Sequence, residues 1–346
     1  MVLVIGVDTS CDDTSVAVVD VSSHQVLSNV RYTQAVHEIF GGVVPEFASR
    51  YHLEILPKLW AKALKEAGMD EKDMDYFAVT ASPGLIGSLV VGLNFVKAMA
   101  AVYNKKFYIV DHLFAHAWIG TWTKSFTYPA LFLVVSGGHT ELYYMNKLGD
   151  FELLAKTRDD AAGELIDKVG REYGLGYPAG PEVDKIVMNR WQNGLSVKPY
   201  PLPKVDYSSF SFSGWKTRAI YNLKKFLSDT TGDVDIDEKR CEELHVLMDS
   251  VAEQLLSRVE YWLEKKNVEC VVIGGGVAAS SYIRKRFEEF GNRRCLKVSF
   301  TPRKFCPDNG AMVAAAVEYA LTFGSRPWVD FGDYFSDAAS HSVFLR

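Results

Sequence analysis

The chain has 346 residues, 48% apolar and 23% charged, with a net charge of −5. That length exceeds one small core and fits two domains, and the composition excludes a disordered chain. The negative balance excludes capture of a polyanion by bulk attraction, so a nucleic-acid partner needs a local basic patch. Cys11, Cys241, Cys270, Cys295 and Cys306 are scattered and form no CxxC pair. They argue against a disulfide framework or a cysteine zinc site and for a reducing compartment, the cytoplasm. No basic leader precedes the first apolar run, and no run is expected to reach the ~18 residues that span a bilayer, so no membrane partner is expected.

In chain order, residues 2–7 predict a strand, Asp8-Thr9-Ser10-Cys11-Asp12-Asp13-Thr14 a polar turn, and residues 15–21 a second strand. A helix is predicted over 45–68, with Pro45 near its start, Leu53, Leu56, Leu59, Ala63 and Leu64 at helical spacing, and Gly68 as its stop. A strand over 76–80 leads through Ser82-Pro83-Gly84-Leu85-Ile86-Gly87 into a small-residue helix over 88–103. A strand over 107–110 then precedes a helix from about Asp111. Tyr128-Pro129 marks a boundary, giving lobes over 1–125 and 126–346. Strand 130–135, turn Ser136-Gly137-Gly138-His139-Thr140 and strand 141–145 then repeat the opening arrangement. Residues 150–265 read as a mainly helical insertion. A strand over 269–273, Gly274-Gly275-Gly276, a helix from about Ser280 and a last helix over 309–323 follow, the last able to pack back on the first lobe. The tail, 325–346, carries no assignment.

Two hairpins with small, hydroxyl-bearing turns suit gripping phosphates from both sides, while Thr9-Ser10-Cys11-Asp12 equally suits an ordinary hairpin turn. Tight turns present several N–H groups to one anion, and Thr9, Ser10 and Ser136 add hydroxyl donors. Gly275 and Gly276 let a nucleotide approach the backbone, and the following helix start favours negative charge. The G-x-G-x-x-G pattern fails at Ala279, and no acidic ribose residue is evident, which argues against a hydride-transfer enzyme.

His112 and His116 are four apart and share one helix face, a metal-ligand spacing that two unrelated histidines of a core or surface would also show. Leu113 stands where a zinc protease of the H-E-x-x-H class needs its glutamate. Asp308, in Cys306-Pro307-Asp308-Asn309-Gly310, is the best third ligand; its position equally suits a helix N-cap region. Asp159, Asp160, Glu164 and Asp167 read mostly as acidic capping of a helix start. Lys216 is an anion contact or a solvated side chain. Arg284, Lys285, Arg286, Arg293, Arg294, Lys297, Arg303 and Lys304 form the densest basic stretch, read as a solvated face or a landing patch for an RNA backbone.

Further segments join these: His37 with Gly41-Gly42-Val43-Val44-Pro45-Glu46, Asp160-Ala161-Ala162-Gly163-Glu164 with Asp167-Lys168, Gly176-Tyr177-Pro178 with Gly180-Pro181, and Phe210-Ser211-Phe212-Ser213-Gly214 with Lys216-Thr217. In order over residues 1 to about 320, the whole set resembles the bacterial tRNA threonylcarbamoyladenosine transferase family, long described as glycoproteases. The resemblance implies an actin-like ATPase fold, α/β, with two lobes and a central cleft. It implies one metal, Fe2+ or Zn2+, on His112, His116 and Asp308. It implies that Val134, Val135, Ser136, Gly137 and Gly138, with His139, Asp167, Gly180 and Asp184, hold the substrate. ATP, ADP or threonylcarbamoyl-AMP would lie in the cleft, with Thr9, Ser10, Cys11, Gly275 and Gly276 as nucleotide loops.

The implied reaction transfers threonylcarbamoyl from threonylcarbamoyl-AMP to the N6 amine of adenosine 37 in tRNAs reading ANN codons. The implied partners are tRNA, a related non-catalytic subunit of the same fold and a small ATPase. Asp12 is the expected acceptor of the amine proton. Departures from the family pattern are Asp8 and Asp13 for Glu, Phe114 for Glu, Ala179 for Gly, Ser280 for Asn and Pro307 for Thr. A nucleotide-binding subunit without transfer, and a sugar or acetate kinase of the same fold, are the competing readings. The intact triad opposes the first. The second needs magnesium on a carboxylate and waters, not imidazoles.

Overall fold

The computed structural model describes residues 1–123, 126–147, 150–228, 235–326, 329–333 and 336–339. The chain forms two compact units, Met1–Trp122 with Pro307–Arg346, and Thr123–Cys306. The boundary read at 125/126 lies beside the first crossing. A second crossing, at 306/307, carries the last helix into the first unit.

The first unit opens with β1 (Leu3–Asp8), β2 (Asp13–Asp20) and β3 (Gln25–Thr33). It continues with α1 (His37–Phe40), α2 (Pro45–Ala67), β4 (Tyr76–Ser82), α3 (Ile86–Tyr103), β5 (Lys106–Asp111) and α4 (His112–Ile119). The second unit holds β6 (Ala130–Val135), β7 (Thr140–Met145), β8 (Phe151–Thr157), α5 (Ala162–Glu172), α6 (Gly180–Gln192), β9 (Ser209–Phe210) and α7 (Ser213–Ser228). It ends with α8 (Ile236–Leu263), β10 (Cys270–Gly274), α9 (Ser281–Arg294) and β11 (Lys297–Phe300). Then α10 (Gly310–Phe323) and β12 (Val329–Phe331) complete the first unit.

The sheets are ordered β12-β5-β4-β1-β2-β3 and β11-β10-β6-β7-β8-β9. In each, an antiparallel meander (β1-β2-β3 or β6-β7-β8) is extended by parallel strands beside its first member, β4 and β5 or β10 and β11. The repeat visible in the sequence as two hairpins is thus five strands deep in each unit.

Every residue of β1 is buried, because helices cover both sides of the sheet. Leu56, Leu59, Trp60, Ala63 and Leu64 of α2 join the apolar core with Ile5, Val7 and Val16. Gly68 ends α2 in the left-handed region, φ 67°, its N–H on the Leu64 and Lys65 carbonyls. On the other side α10 lies directly against the strands. A Cβ at Gly310 would stand 2.5 Å from the Gly6 oxygen and 2.6 Å from the Ala17 nitrogen. Gly310 N–H also donates to Ser15 Oγ at 2.9 Å. Backbone fills the space a methyl would need, so Gly310→Ala is expected to cost about 3 kcal/mol by overpacking, read as a lowered urea midpoint.

Among the described residues five strands depart from the sequence reading, the two-residue β9 among them. β3 and β12 lie at sheet edges and β11 is short, so burial imposes little pattern on them. β8 falls inside the stretch read as helical, and Phe151-Glu152-Leu153-Leu154 suits either structure locally. Pairing with β7, Tyr143 opposite Leu153, decides for strand. Contrary to expectation, α3 is long and apolar enough by length and composition to cross a bilayer. In this unit Leu89, Leu93 and Val96 of α3 are buried, the last two in the core with Trp60.

In the second unit α8 buries Glu243, whose Oε1 accepts from Asn222 Nδ2 at 2.9 Å. Burial pushes its carboxyl from 4.5 up to about 7. The folded state therefore keeps a proton that the unfolded chain has lost. The stabilisation is complete below about pH 4.5 and disappears as pH rises through about 7, a change of at most about 3 kcal/mol. Glu243→Gln, which mimics the protonated acid, is expected to flatten this slope and to raise stability at pH 8 by about 2 kcal/mol, measured by denaturant titration across pH.

Candidate active site

β1, β4 and β5 run parallel, so their C-terminal ends bring Asp8, Ser82 and Asp111 to one edge of the first sheet. Asp111 caps α4, its Oδ1 accepting from Leu113 N at 3.0 Å and Phe114 N at 3.2 Å. The cap puts His112 at the first helical position and His116 one turn on. Their rings stand perpendicular with centroids 4.7 Å apart. Asn309 caps α10 through Met312 N at 3.0 Å, which fixes Asp308 just ahead of that helix. Asp308 Oδ1 lies 3.5 Å from His112 Nε2 and 3.1 Å from His116 Nε2. Ligand atoms of the three residues all lie within 4.8 Å of one another.

The electrostatics of this cluster favour positive charge. Burial opposes protonation of His112, but Asp308 and Asp8 outweigh it and hold its pKa well above the usual value. Burial would likewise raise Asp308, but the two imidazoles keep it well below the carboxylate range. Burial lowers His116, leaving a neutral imidazole suited to ligation. Two imidazoles and one carboxylate, converging on a point that attracts a cation, fit a divalent metal with open coordination positions.

The turn after β1 is built differently from its sequence reading. Thr9 and Ser10 are buried; Thr9 Oγ1 donates to the Ser88 carbonyl at 2.9 Å and Ser10 Oγ to Asp8 Oδ2 at 3.0 Å. Their hydroxyls hold the turn rather than point outward. His52 Nε2 donates to the Cys11 carbonyl at 2.8 Å, while its Nδ1 accepts from Thr14 Oγ1 at 2.8 Å. Burial and the neighbouring Asp12 push the Cys11 thiol well up, so it is no nucleophile at neutral pH. Asp13 accepts from Thr33 Oγ1 and lies 3.5 Å from an Arg31 nitrogen. Burial and Asp308 push its carboxyl up to about 7.

In the second unit, Ser136 closes its own turn. Its N–H donates to the His139 carbonyl at 2.8 Å, and its Oγ accepts from His139 N at 3.1 Å. Gly137 and Gly138 form the exposed tip, and Val134 and Val135 lie buried in β6. Two further glycines shape this place. A Cβ on Gly163, at the start of α5, would stand 2.6 Å from the Ser136 carbonyl oxygen, and Gly275 sits at φ 89° against Val135. The Ser136 turn, the α5 start and the β10 end therefore meet, with Gly276 next in line.

Asp167 and Asp184 are tied to helix starts. Asp167 Oδ1 accepts from Ala179 N at 2.8 Å and Gly180 N at 3.0 Å. Asp184 accepts from Ser280 Oγ, Ser281 N and Tyr282 N at 2.5, 2.8 and 3.0 Å, anchoring α9.

Several polar residues have structural partners that the sequence does not reveal. Asp159 caps α7, not α5, accepting from Phe212 N at 2.7 Å and Ser213 N at 3.2 Å. Lys216 pairs with Asp160. In the basic stretch Arg286 pairs with Asp249 and Glu253, Arg294 with Glu260 and Lys285 with Glu288. Arg284 donates to the Ala278 and Thr301 carbonyls, both at 2.7 Å. Much of that stretch ties α9 to its surroundings. Two contributors were missed as site builders: Asp8, an acid closing an apolar strand, and His52, a polar residue on the buried face of α2.

The family model for tRNA N6-adenosine threonylcarbamoyltransferase matches residues 25–315. The relative of that name from Thermosipho africanus is 41% identical over 322 residues, covering 91% of this chain and 93% of its own. That from Bacillus subtilis is 38% identical over 327 residues, covering 93% and 92%. Among solved structures, HypF from T. kodakarensis superposes with a TM-score of 0.58 at 13% identity, over 92% of this chain and 48% of its own. Component A of the Acidaminococcus fermentans (R)-2-hydroxyglutaryl-CoA dehydratase gives 0.55 at 14%, over 93% and 99%. These distant likenesses establish the actin-like ATPase fold and nothing finer. With the family model spanning most of the chain and relatives near 40% identity over nine-tenths of it, the chain belongs to the tRNA N6-adenosine threonylcarbamoyltransferases, a family of transferases.

Proposed function

We propose that this transferase moves threonylcarbamoyl from threonylcarbamoyl-AMP to the N6 amine of adenosine 37 in tRNAs reading ANN codons, with one Fe2+ or Zn2+ at His112, His116 and Asp308. The observation that carries the reading is that triad, complete in a chain of this family, with both histidines on capped α4 and Asp308 just ahead of capped α10. A bound cation would supply Lewis acidity toward the carbamoyl oxygen. An adenine amine is a weak nucleophile, so the protein's task is to orient the acyl donor and remove one proton.

The Ser136 turn, with the exposed Gly137 and Gly138 amides and His139, is assigned to the adenylate, together with Asp167, Gly180 and Asp184. Gly275 and Gly276 allow close approach of the nucleotide, and the Thr9-Ser10-Cys11 backbone serves the same end in the first unit. Asp12 accepts the amine proton as nitrogen attacks the carbonyl carbon. The bond from that carbon to the phosphate oxygen then breaks, and AMP leaves. The site of action is the cytoplasm, with tRNA, a related non-catalytic subunit and a small ATPase as partners, and ATP or ADP as a further ligand of the same loops. No described feature favours a binding-only role.

The test offers the purified protein threonylcarbamoyl-AMP, unmodified tRNA and those partners, and analyses the nucleosides by mass spectrometry. A mass increment on adenosine 37 supports the reading. Bound metal with no increment, all partners present, would sink it.

A further inference from the structure

Asp8 is fully buried, at 0% exposure, at the end of a strand whose other residues are apolar or glycine. A carboxylate in such a place is strongly unfavourable unless donors or a cation face it. Three groups do. Thr80 Oγ1, from the adjacent β4, donates to Oδ1 at 2.5 Å. Ser10 Oγ donates to Oδ2 at 3.0 Å. His112 Nδ1 stands 3.4 Å from Oδ1. A carboxylate only accepts, so Nδ1 carries the hydrogen and the lone pair of a neutral ring belongs to Nε2. That nitrogen faces Asp308. His116 differs, because its buried Nδ1 has no hydrogen-bond partner among the described residues.

We propose that Asp8 is a positioning residue, which sets the tautomer and ring orientation of His112 from behind and thereby raises the cation affinity of the triad. The inference rests on the metal reading above. It adds that one histidine of the pair is oriented by a second carboxylate, itself aimed by Thr80 and Ser10. Such a carboxylate–histidine contact makes the ligand nitrogen more basic and spares the ordering of a free ring.

The test is titration of the metal-free full chain with Co2+, read as affinity and as the visible spectrum, which reports ligand geometry. Asp8→Asn keeps the size and removes the charge. It is expected to weaken cobalt binding by about 10–100-fold and to alter the spectrum. Thr80→Val keeps the carboxylate but removes its closest donor, and a smaller loss is expected, about 3–10-fold. If Asp8→Asn does not fold, as judged by circular dichroism, Thr80→Val decides alone. Wild-type affinity and spectrum in every folded variant would overturn the role of Asp8. A wild type that takes up no cobalt would overturn the metal reading and this inference with it.

Discussion

Replacing Asp308 or His116 with alanine is expected to abolish stoichiometric metal binding and to cut threonylcarbamoyl transfer by about a thousandfold. A cation at this point supplies several kcal/mol of charge stabilisation at the reacting carbonyl, each ~1.4 kcal/mol being a factor of ten in rate. Both residues hold the same point, Asp308 Oδ1 and His116 Nε2 being 3.1 Å apart. Either change leaves a set of two ligands. Asp308→Ala also removes the one carboxylate of the triad, leaving two neutral imidazoles that offset none of the cation's charge. Metal content by mass spectrometry and single-turnover rate are the two readouts. Full transfer in a variant shown to lack metal would remove the cation from the mechanism.

Asp12→Asn is expected to lower the turnover rate by about 100–1,000-fold, the usual contribution of a general base, while metal content stays at the wild-type level. Asp12 sits in a turn held from both sides. Its carbonyl accepts from Gln34 N at 3.3 Å, and the preceding Cys11 carbonyl is held by His52. The turn is thus fixed, while the Asp12 side chain is only half-buried. Asp13 is the natural control. Its carboxyl is pushed up to about 7, yet it is turned to Thr33 and Arg31. A rate kept in Asp12→Asn but lost in Asp13→Asn would shift the base by one residue. Rates kept in both would leave the turn a scaffold only.

The contrast between the two acids shows where sequence reading stops. Adjacent positions in one turn look alike as letters, and strand pairing separates them. Asp13 opens β2 opposite Thr33 of β3, a strand the sequence did not reveal, and so acquires a hydroxyl and an arginine. Thr9 and Ser10 make the same point. They looked like phosphate donors because small hydroxyl residues in a tight turn commonly serve so. Packing against α3 and Asp8 gave both hydroxyls to the protein.

What the sequence determined by itself is local or periodic. The Pro45 start and Gly68 stop of α2, the i, i+4 pairing of His112 with His116, and the two strand–turn–strand hairpins all depend on residues within a few positions of one another. Asp308 was legible only as a candidate, because its partners lie about 190 residues away. Its place depends on α10 returning to the first unit and pressing Gly310 onto Gly6. Asp8 behind His112, Asp159 capping α7, and the pairing of Lys216 and the α9 arginines with acids were likewise decided by the tertiary structure. Burial of charge is the physical reason. A carboxylate or guanidinium removed from water must find a partner, and the fold, not the neighbouring sequence, determines which one lies within reach.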